Sequence, residues 1–358
     1  MPRVLLRPTG FVDSPFGHDG KVARLAGGLN WFACVELLTI DHGRRRIASE
    51  LVPVEAIEVR FDEAMAADWS RLTAPRAPLQ MGERTIRLDQ PQVMGIVNTT
   101  PDSFSGDGHA NDSAEAAEAG ATMAGQGAAI LDVGGESTRP GAKVIWEGDE
   151  SERVVPVIRQ LAAGGAAVSI DTRKAAVAEA ALGAGARLVN DVSGLTFDER
   201  MAGVVAAAGV PVVLMHHQGD PASMQEAPSY DDVLVEIFLW LEERIAAAEA
   251  AGIARDKILI DPGFGFGKSV AHNLELMNGL ALFHGLGCPL VLGASRKRTI
   301  GALSNEAPTD QRLAGSLAFA LKAAEQGAQL LRVHDVPETV QALRIWRGLR
   351  DQALTPRR

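Results

Sequence analysis

Val93-Met94-Gly95-Ile96-Val97 runs directly into Asn98-Thr99-Thr100-Pro101-Asp102-Ser103-Phe104-Ser105. An apolar run that ends in an amide, hydroxyls, a turn-setting proline and a carboxylate reads as a buried strand delivering polar groups to the rim of a scaffold. Four later runs end the same way: Val168-Ser169-Ile170 in Asp171-Thr172-Arg173-Lys174, Leu188-Val189 in Asn190-Asp191, Ile258-Leu259-Ile260 in Asp261-Pro262-Gly263, and Leu330-Leu331 in Arg332-Val333-His334-Asp335. Polar residues gathered at the carboxyl ends of many strands imply one shared site.

From about Gln92 onward, short apolar runs alternate with Ala-rich amphipathic segments of helical period, the signature of βα units. Eight strands are expected: 93–98, 128–134, 168–171, 188–191, 211–216, 258–261, 290–293 and 330–334. Helices are expected over 113–125, 151–162, 174–182, 231–251 and 311–326, with Gly127, Gly185, Gly252 and Gly327 as stops. Eight units predict a (β/α)₈ barrel. A doubly wound open sheet is the alternative; it is disfavoured because functional polar residues end six or more strands and no Rossmann or P-loop fingerprint opens the first βα turn. Residues 1 to about 90 read as a separate small α/β extension of unknown role, joined through a polar linker near 73–80 to a barrel over 91–358.

A chain of 358 residues accommodates a large barrel plus an appendage, and a net charge of -10 argues against a nucleic-acid surface. Cys34 and Cys288 are the cysteines present and lack metal-ligand spacing, which points away from a disulfide framework or a zinc site and towards a reducing, cytoplasmic setting. Residues 1–11 offer only the short apolar triplet Val4-Leu5-Leu6 and no small-residue cleavage site after it, so export is not expected. The most apolar helical tract, 237–251, is interrupted by Glu242, Glu243, Arg244 and Glu249, so no membrane span is expected.

Three further segments carry chemistry. Asp132-Val133-Gly134-Gly135-Glu136-Ser137-Thr138-Arg139-Pro140-Gly141 places a carboxylate on a strand and then a glycine-rich loop that can close over an anion. In Asp261-Pro262-Gly263-Phe264-Gly265-Phe266-Gly267-Lys268 the glycines permit close backbone approach and the phenylalanines offer flat apolar faces, with one of the two rings expected to pack inward. Ser295-Arg296-Lys297-Arg298 and Arg332-Val333-His334 set cations where barrels hold phosphate, and strand alternation points Arg332 and His334 to one side. His216-His217 read as structural or pocket-lining residues, since adjacent histidines diverge and show no metal pattern.

Taken together, MGIVNTTPDSFS, DVGGESTRPGA, SIDTRK, VNDVSG, LMHHQGDPASMQ, DPGFGFGK, GASRK and RVHD resemble, in order, the motifs of the dihydropteroate synthases of folate biosynthesis. The resemblance covers about 92 to 349. It implies a transferase that joins 6-hydroxymethyl-7,8-dihydropterin pyrophosphate to p-aminobenzoate, with Mg²⁺ assisting, and a sulfonamide target. By the same resemblance Asp132, Asp171, Asn190, Met215, Asp261 and Lys297 hold the pterin. Asn98, Thr138, Arg332 and His334 form the pyrophosphate subsite, with Asn98 also touching Mg²⁺. Thr138, Arg139, Pro140, Phe266 and Arg298 frame the p-aminobenzoate slot. The expected mechanism is dissociative: a pterin cation forms before the aromatic amine attacks, which needs charge stabilisation by Asp171, Asp261, Lys297, Arg332 and His334 but no general base.

Two positions depart from the family pattern. Ser105-Gly106-Asp107-Gly108 stands where Asp-Gly-Gly commonly follows the serine, and Arg298 stands where serine is commoner, so that Arg298 either pairs with the p-aminobenzoate carboxylate or turns to solvent. The family implies a homodimer, with 313–324 and 340–349 as candidate interface helices. The rivals are a pterin-dependent corrinoid methyltransferase, which needs no pyrophosphate subsite, and a non-catalytic pterin-binding paralogue.

Overall fold

The structure is a computed structural model that describes residues 2–42, 44–99, 113–137, 144–219, 224 and 227–355. The N-terminal segment holds strands β1 (Arg3–Val12), β2 (Ala23–Arg24), β3 (Trp31–Ile40) and β4 (Arg46–Pro53), then helix α1 (Glu63–Thr73) and a hairpin of β5 (Leu79–Met81) and β6 (Arg84–Ile86). Its strands pair antiparallel, with β3 central. The extension therefore contains both strands and helix, arranged as an antiparallel sheet followed by a helix and not as alternating βα units.

Eight parallel strands follow: β7 (Gln92–Asn98), β8 (Ile130–Gly134), β9 (Val168–Asp171), β10 (Leu188–Asp191), β11 (Val212–Met215), β12 (Ile258–Asp261), β13 (Val291–Leu292) and β14 (Leu330–Val333). They lie in sequential order, and β14 returns to pair with β7. The ring closes through an Ile260–Leu290 bridge and a 2.9 Å bond from Ile260 N to Pro289 O. Closure decides between barrel and open sheet, and all eight expected strands are present within a residue or two at most ends.

Helices α2 (Ser113–Gly125), α3 (Glu147–Ala163), α4 (Ala175–Ala184), α5 (Met201–Ala208), α6 (Val233–Ala250), α7 (Val270–Asn278), α8 (Arg298–Leu303), α9 (Leu313–Glu325) and α10 (Val336–Ala353) surround the sheet. The apolar periodicity anticipates α2, α3, α4, α6 and α9. It passes over α5, whose Ala- and Val-rich sequence has little amphipathic contrast, and the shorter α7 and α8. Gly185, which ends α4, has φ 120°, a conformation that a β-carbon would strain.

The barrel interior shows why the ring has a polar top and a sealed bottom. Met94, Ile130, Ala167, Leu188, Val213, Leu259, Val291 and Leu330 form one inward apolar layer, and Leu79, Met81, Ile86 and Leu88 from the hairpin region close it from below. Two residues further along each strand, alternation brings Ile96, Asp132, Ser169, Asn190, Met215, Asp261 and Arg332 to the same lumen.

The N-terminal sheet has its own apolar cluster around Phe32, Val35, Ile57 and Leu72, which also takes in Ala281. Its β1–β3 ribbon sends Leu5, Leu38 and Ile40 into the barrel's outer core. The fully buried 3-10 helix Leu280–Leu286 lies beneath it. Arg71 donates to Gly285 O at 2.9 Å and Arg76 to His284 O at 3.0 Å, the latter carbonyl also accepting from Gly287 N at 3.0 Å, so the two arginines tie the extension to this turn.

Candidate functional site

The lumen above the apolar layer is built around Arg332. Its Nε donates to Asp132 Oδ2 and its Nη2 to Asp171 Oδ2, both at 2.6 Å. Asn190 Nδ2 donates to the same Asp132 oxygen at 2.9 Å. Asp132 Oδ1 and Ser169 Oγ are buried with no hydrogen-bond partner among the described residues. Buried polar atoms are normally satisfied, so two orphans inside one lumen mark the place of a polar ligand. Ser169 escaped the sequence reading, although it lies two residues before Asp171 on the same strand face.

Asp261 ends β12 and accepts from Gly263 N at 2.7 Å. Burial pushes its carboxyl up, against the attraction of Lys297. Burial likewise raises the Asp171 carboxyl, against the pull of Arg332. Lys297 is lowered by burial to about 7 while Asp261 pulls the other way. Its Nζ donates to Phe264 O and lies 4.3 Å from the Phe266 ring centroid.

The glycine-rich segment divides its two rings as expected. Phe264 is fully buried against Phe319, whereas Phe266 is half-buried beside Lys297. The fold itself demands two of the glycines: at Gly263 (φ 71°) a β-carbon would lie 1.8 Å from His216 O, and at Gly267 (φ 62°) one would lie 2.4 Å from Gln218 O. His216 is buried, and Lys268 Nζ stands 3.0 Å from its Nδ1 and donates to Phe266 O at 3.0 Å. Burial lowers both groups well below their usual ranges.

Ser295 and His334 meet at the rim. Ser295 Oγ accepts from His334 N at 3.2 Å and lies 3.1 Å from its Nδ1. Burial, then the nearby Arg296, lower the His334 imidazole to about 3, which keeps it neutral. Arg296 adopts φ 57°, unusual for a residue with a β-carbon, and is held there by a two-point ion pair with Asp335. That turn sends Lys297 to the lumen and leaves Arg298 exposed on the first residue of α8. Of the SRKR run, Ser295 and Lys297 face the site.

Asn98 is half-buried at the end of β7, and Met215 is buried at the end of β11. Thr138, Arg139, Pro140 and the loop 100–108 lie outside the described residues. The base of the Thr138 loop is described and strongly anchored. Glu136 pairs with Arg173 at 2.9 Å and with Lys174, while Lys174 also reaches Glu150 at 2.6 Å and Glu150 accepts from Thr172 Oγ1 at 2.7 Å. The sequence assigns Glu136 and Lys174 no role beyond their place in polar strand ends and does not single out Glu150; an acidic residue in the first turn of a helix gives no local sign that it faces a lysine on the next strand end. Among the described residues, no group of three or more His, Cys, Asp or Glu could hold a metal.

Residues 94–334 match the model of the family "Pterin binding enzyme". The chain is 48% identical over 262 residues to the dihydropteroate synthase of Escherichia coli K12, covering 73% of this chain and 92% of that one. Among solved structures it is similar to a Yersinia pestis dihydropteroate synthase in a sulfonamide drug complex (46% identity, TM-score 0.74, 76% and 99% of the two chains). It is also similar to the Xanthomonas albilineans enzyme with 4-aminobenzoic acid (48% identity, TM-score 0.72, 78% and 100%).

Proposed function

Because this chain belongs to the pterin-binding enzymes and, within them, to the dihydropteroate synthases, we propose that its barrel mouth joins 6-hydroxymethyl-7,8-dihydropterin pyrophosphate to p-aminobenzoate, releasing pyrophosphate and 7,8-dihydropteroate. The observation that carries this reading is the lumen's unsatisfied polar set, Asp132 Oδ1 and Ser169 Oγ beside Asn190 and Asp261. A pterin edge presents amino and ring N–H donors to carboxylates and acceptors to Lys297.

In this reading Asp132, Asn190, Asp261 and Lys297 orient the pterin, with Met215 packing beside it and Asp171 beneath. Asp171 and Asp261 favour the cation formed as the C–O bond to pyrophosphate breaks; a preorganised field of this kind contributes on the order of several kcal/mol. Arg332 has Nη1 unused by Asp132 and Asp171, and a neutral His334 whose Nδ1 faces Ser295 can donate from Nε2; both suit a departing anion. Thr138, Arg139, Pro140, Phe266 and Arg298 would frame the aromatic amine, Arg298 through its exposed guanidinium. The amine attacks through its neutral nitrogen lone pair, and the acidic arylammonium proton that results passes to water or to the departing pyrophosphate, so no general base is needed.

For Mg²⁺ the fit rests on Asn98, a single neutral oxygen donor at the rim. A cation that arrives on substrate phosphates needs one or two protein ligands and no cage. When bound it would offset leaving-group charge. We further infer a cytoplasmic homodimer using the outer faces of α9 and α10, where Ile345 and Leu349 are 66% and 69% exposed. No helix among the described residues is long and apolar enough to cross a membrane. Residues 91–358 would form the catalytic unit and residues 1–90 an extension, in keeping with a family match that begins at residue 94.

The test is pyrophosphate release from the two organic substrates with Mg²⁺, each component omitted in turn. Release that needs both substrates, with dihydropteroate formed, upholds the reading. Binding of the pterin without release would favour a non-catalytic paralogue, and methyl transfer would favour the corrinoid class. Omission of Mg²⁺ should slow turnover, and sedimentation showing only monomer would reject the dimer.

A further inference from the structure

The N-terminal sheet touches the mouth of the barrel through one turn. The β3–β4 hairpin carries Arg44, Arg45 and Arg46, and each guanidinium meets a carboxylate of α6 or of the two residues before it, Asp231 and Asp232 at its start and Glu243 in its middle. Arg44 pairs with Glu243 at 2.7 Å and Arg45 with Asp231 at 3.3 Å, and Arg46 Nε lies 2.6 Å from Asp232 Oδ2 as a charge contact without hydrogen-bond alignment. Arg3 of β1 adds a two-point pair to Glu242, at 2.6 and 2.7 Å. The first two pairs are exposed, but Arg46 and Asp232 are largely shielded, at 28% and 11% side-chain exposure. Asp232 also caps α6 by accepting from Leu234 N and Val235 N, both at 3.1 Å. The start of α6 is thus held from both sides.

The residues just before it reach the site. Gln218 Nε2 donates to Ser229 O at 3.0 Å, and Tyr230 Oη donates to Gly267 O at 2.9 Å. The Tyr230 ring packs 6.2 Å from His216 and edge-on at 5.0 Å to His272. Gly267 follows Phe266, whose ring lies against Lys297. Three contacts therefore connect the extension to the aromatic face of the lumen: Arg46 to Asp232, Tyr230 to Gly267, and Phe266 to Lys297.

We propose that the N-terminal sheet is a positioning element for the aromatic-amine half of the site: Arg46 fixes Asp232, and Tyr230 in consequence sets the backbone at Gly267 and the ring of Phe266. The proposal rests on Phe266 framing p-aminobenzoate. Neither Arg46 nor Tyr230 touches substrate in this scheme; both act through Phe266, so their loss changes substrate affinity more than chemistry. A purely structural brace would change stability and leave the two Michaelis constants in their original ratio.

The experiment uses the full chain with Arg46→Ala, Tyr230→Phe and the double variant. The expected result is a several-fold rise in KM for p-aminobenzoate in each single variant, no further rise in the double variant, an unchanged KM for the pterin substrate, and partial recovery in Arg46→Lys. Unchanged KM for p-aminobenzoate in both single variants, or effects that simply add, would overturn the proposal. Tyr230→Phe removes one oxygen and keeps the ring, so it remains informative should Arg46→Ala fold poorly. Hydrogen exchange over 229–236, which should quicken in Arg46→Ala, needs no turnover. If the wild-type chain makes no dihydropteroate the functional reading falls alone, and unchanged exchange in that segment would then sink the positioning role.

Discussion

Arg332 and Asp132, two hundred residues apart, are joined by a 2.6 Å hydrogen bond from Nε to Oδ2 inside the barrel, and the same guanidinium reaches Asp171 at 2.6 Å. One cation is therefore shared between carboxylates from two other strands. Removing one partner of a buried pair leaves an uncompensated charge and typically costs about 3–5 kcal/mol. Arg332→Met should lower unfolding stability by that order at pH 8 and by less at pH 5, where Asp171, already pushed up by burial, can take a proton. Denaturant titrations at the two pH values measure the difference; equal losses would contradict the shared-charge account.

The rate profile should respond to two groups of opposite sense. Lys297, lowered to about 7, loses its charge as pH rises through neutrality, and Asp171, raised by burial, gains its charge as pH rises from acid. A plot of kcat/KM against pH should therefore be bell-shaped near neutrality. Lys297→Arg, charged throughout, should retain binding on the alkaline side, whereas Lys297→Ala should cut turnover severely without unfolding the chain. A flat profile from pH 6 to 9 would remove Lys297 from the binding set.

Acid sensitivity should trace partly to His284. Its Nε2 lies 3.0 Å from Gln326 O, and burial, then nearby Arg76, lower its pKa to about 3. Between that value and the unfolded value of about 6.5, the unfolded chain holds the extra proton, so stability rises with pH through this window and is complete above it. Lowering pH from 6.5 to 5 should cost about 2 kcal/mol through this one group. His284→Phe should show a shallower slope in urea midpoints at pH 5, 6 and 7.5; an identical slope would place the acid sensitivity elsewhere.

The hairpin below the barrel makes a packing prediction. Leu79 is 2% exposed and lies against the inward layer that includes Met94 and Leu330. Leu79→Ala should destabilise by about 2–5 kcal/mol, the range for a buried leucine whose cavity cannot fully collapse. Exposed Gln80, on the opposite face of the same strand, should tolerate alanine within about 0.5 kcal/mol. Thermal unfolding of the two variants separates a packed floor from a loose linker.

The eight strands, their parallel order and the gathering of Asp132, Asp171, Asn190, Asp261, Lys297 and Arg332 at one rim are legible in the amino-acid sequence. Each is a local matter: an apolar run of strand length, a polar residue at its end, and an alternation that sends residues i and i+2 to one side. Tertiary structure alone decided that Arg332 is shared between Asp132 and Asp171, that Glu136 and Glu150 meet across Lys174, and that Phe264 turns inward while Phe266 stays at the lumen. It also decided that Leu79 to Ile86, read from sequence as the edge of a polar linker and extension, seal the barrel floor, and that Arg44 to Arg46 dock on α6. These pairings join residues far apart in the chain, and no local pattern names a distant partner. Only closure of the ring, which fixes every strand against its neighbours, brings such side chains within hydrogen-bonding reach.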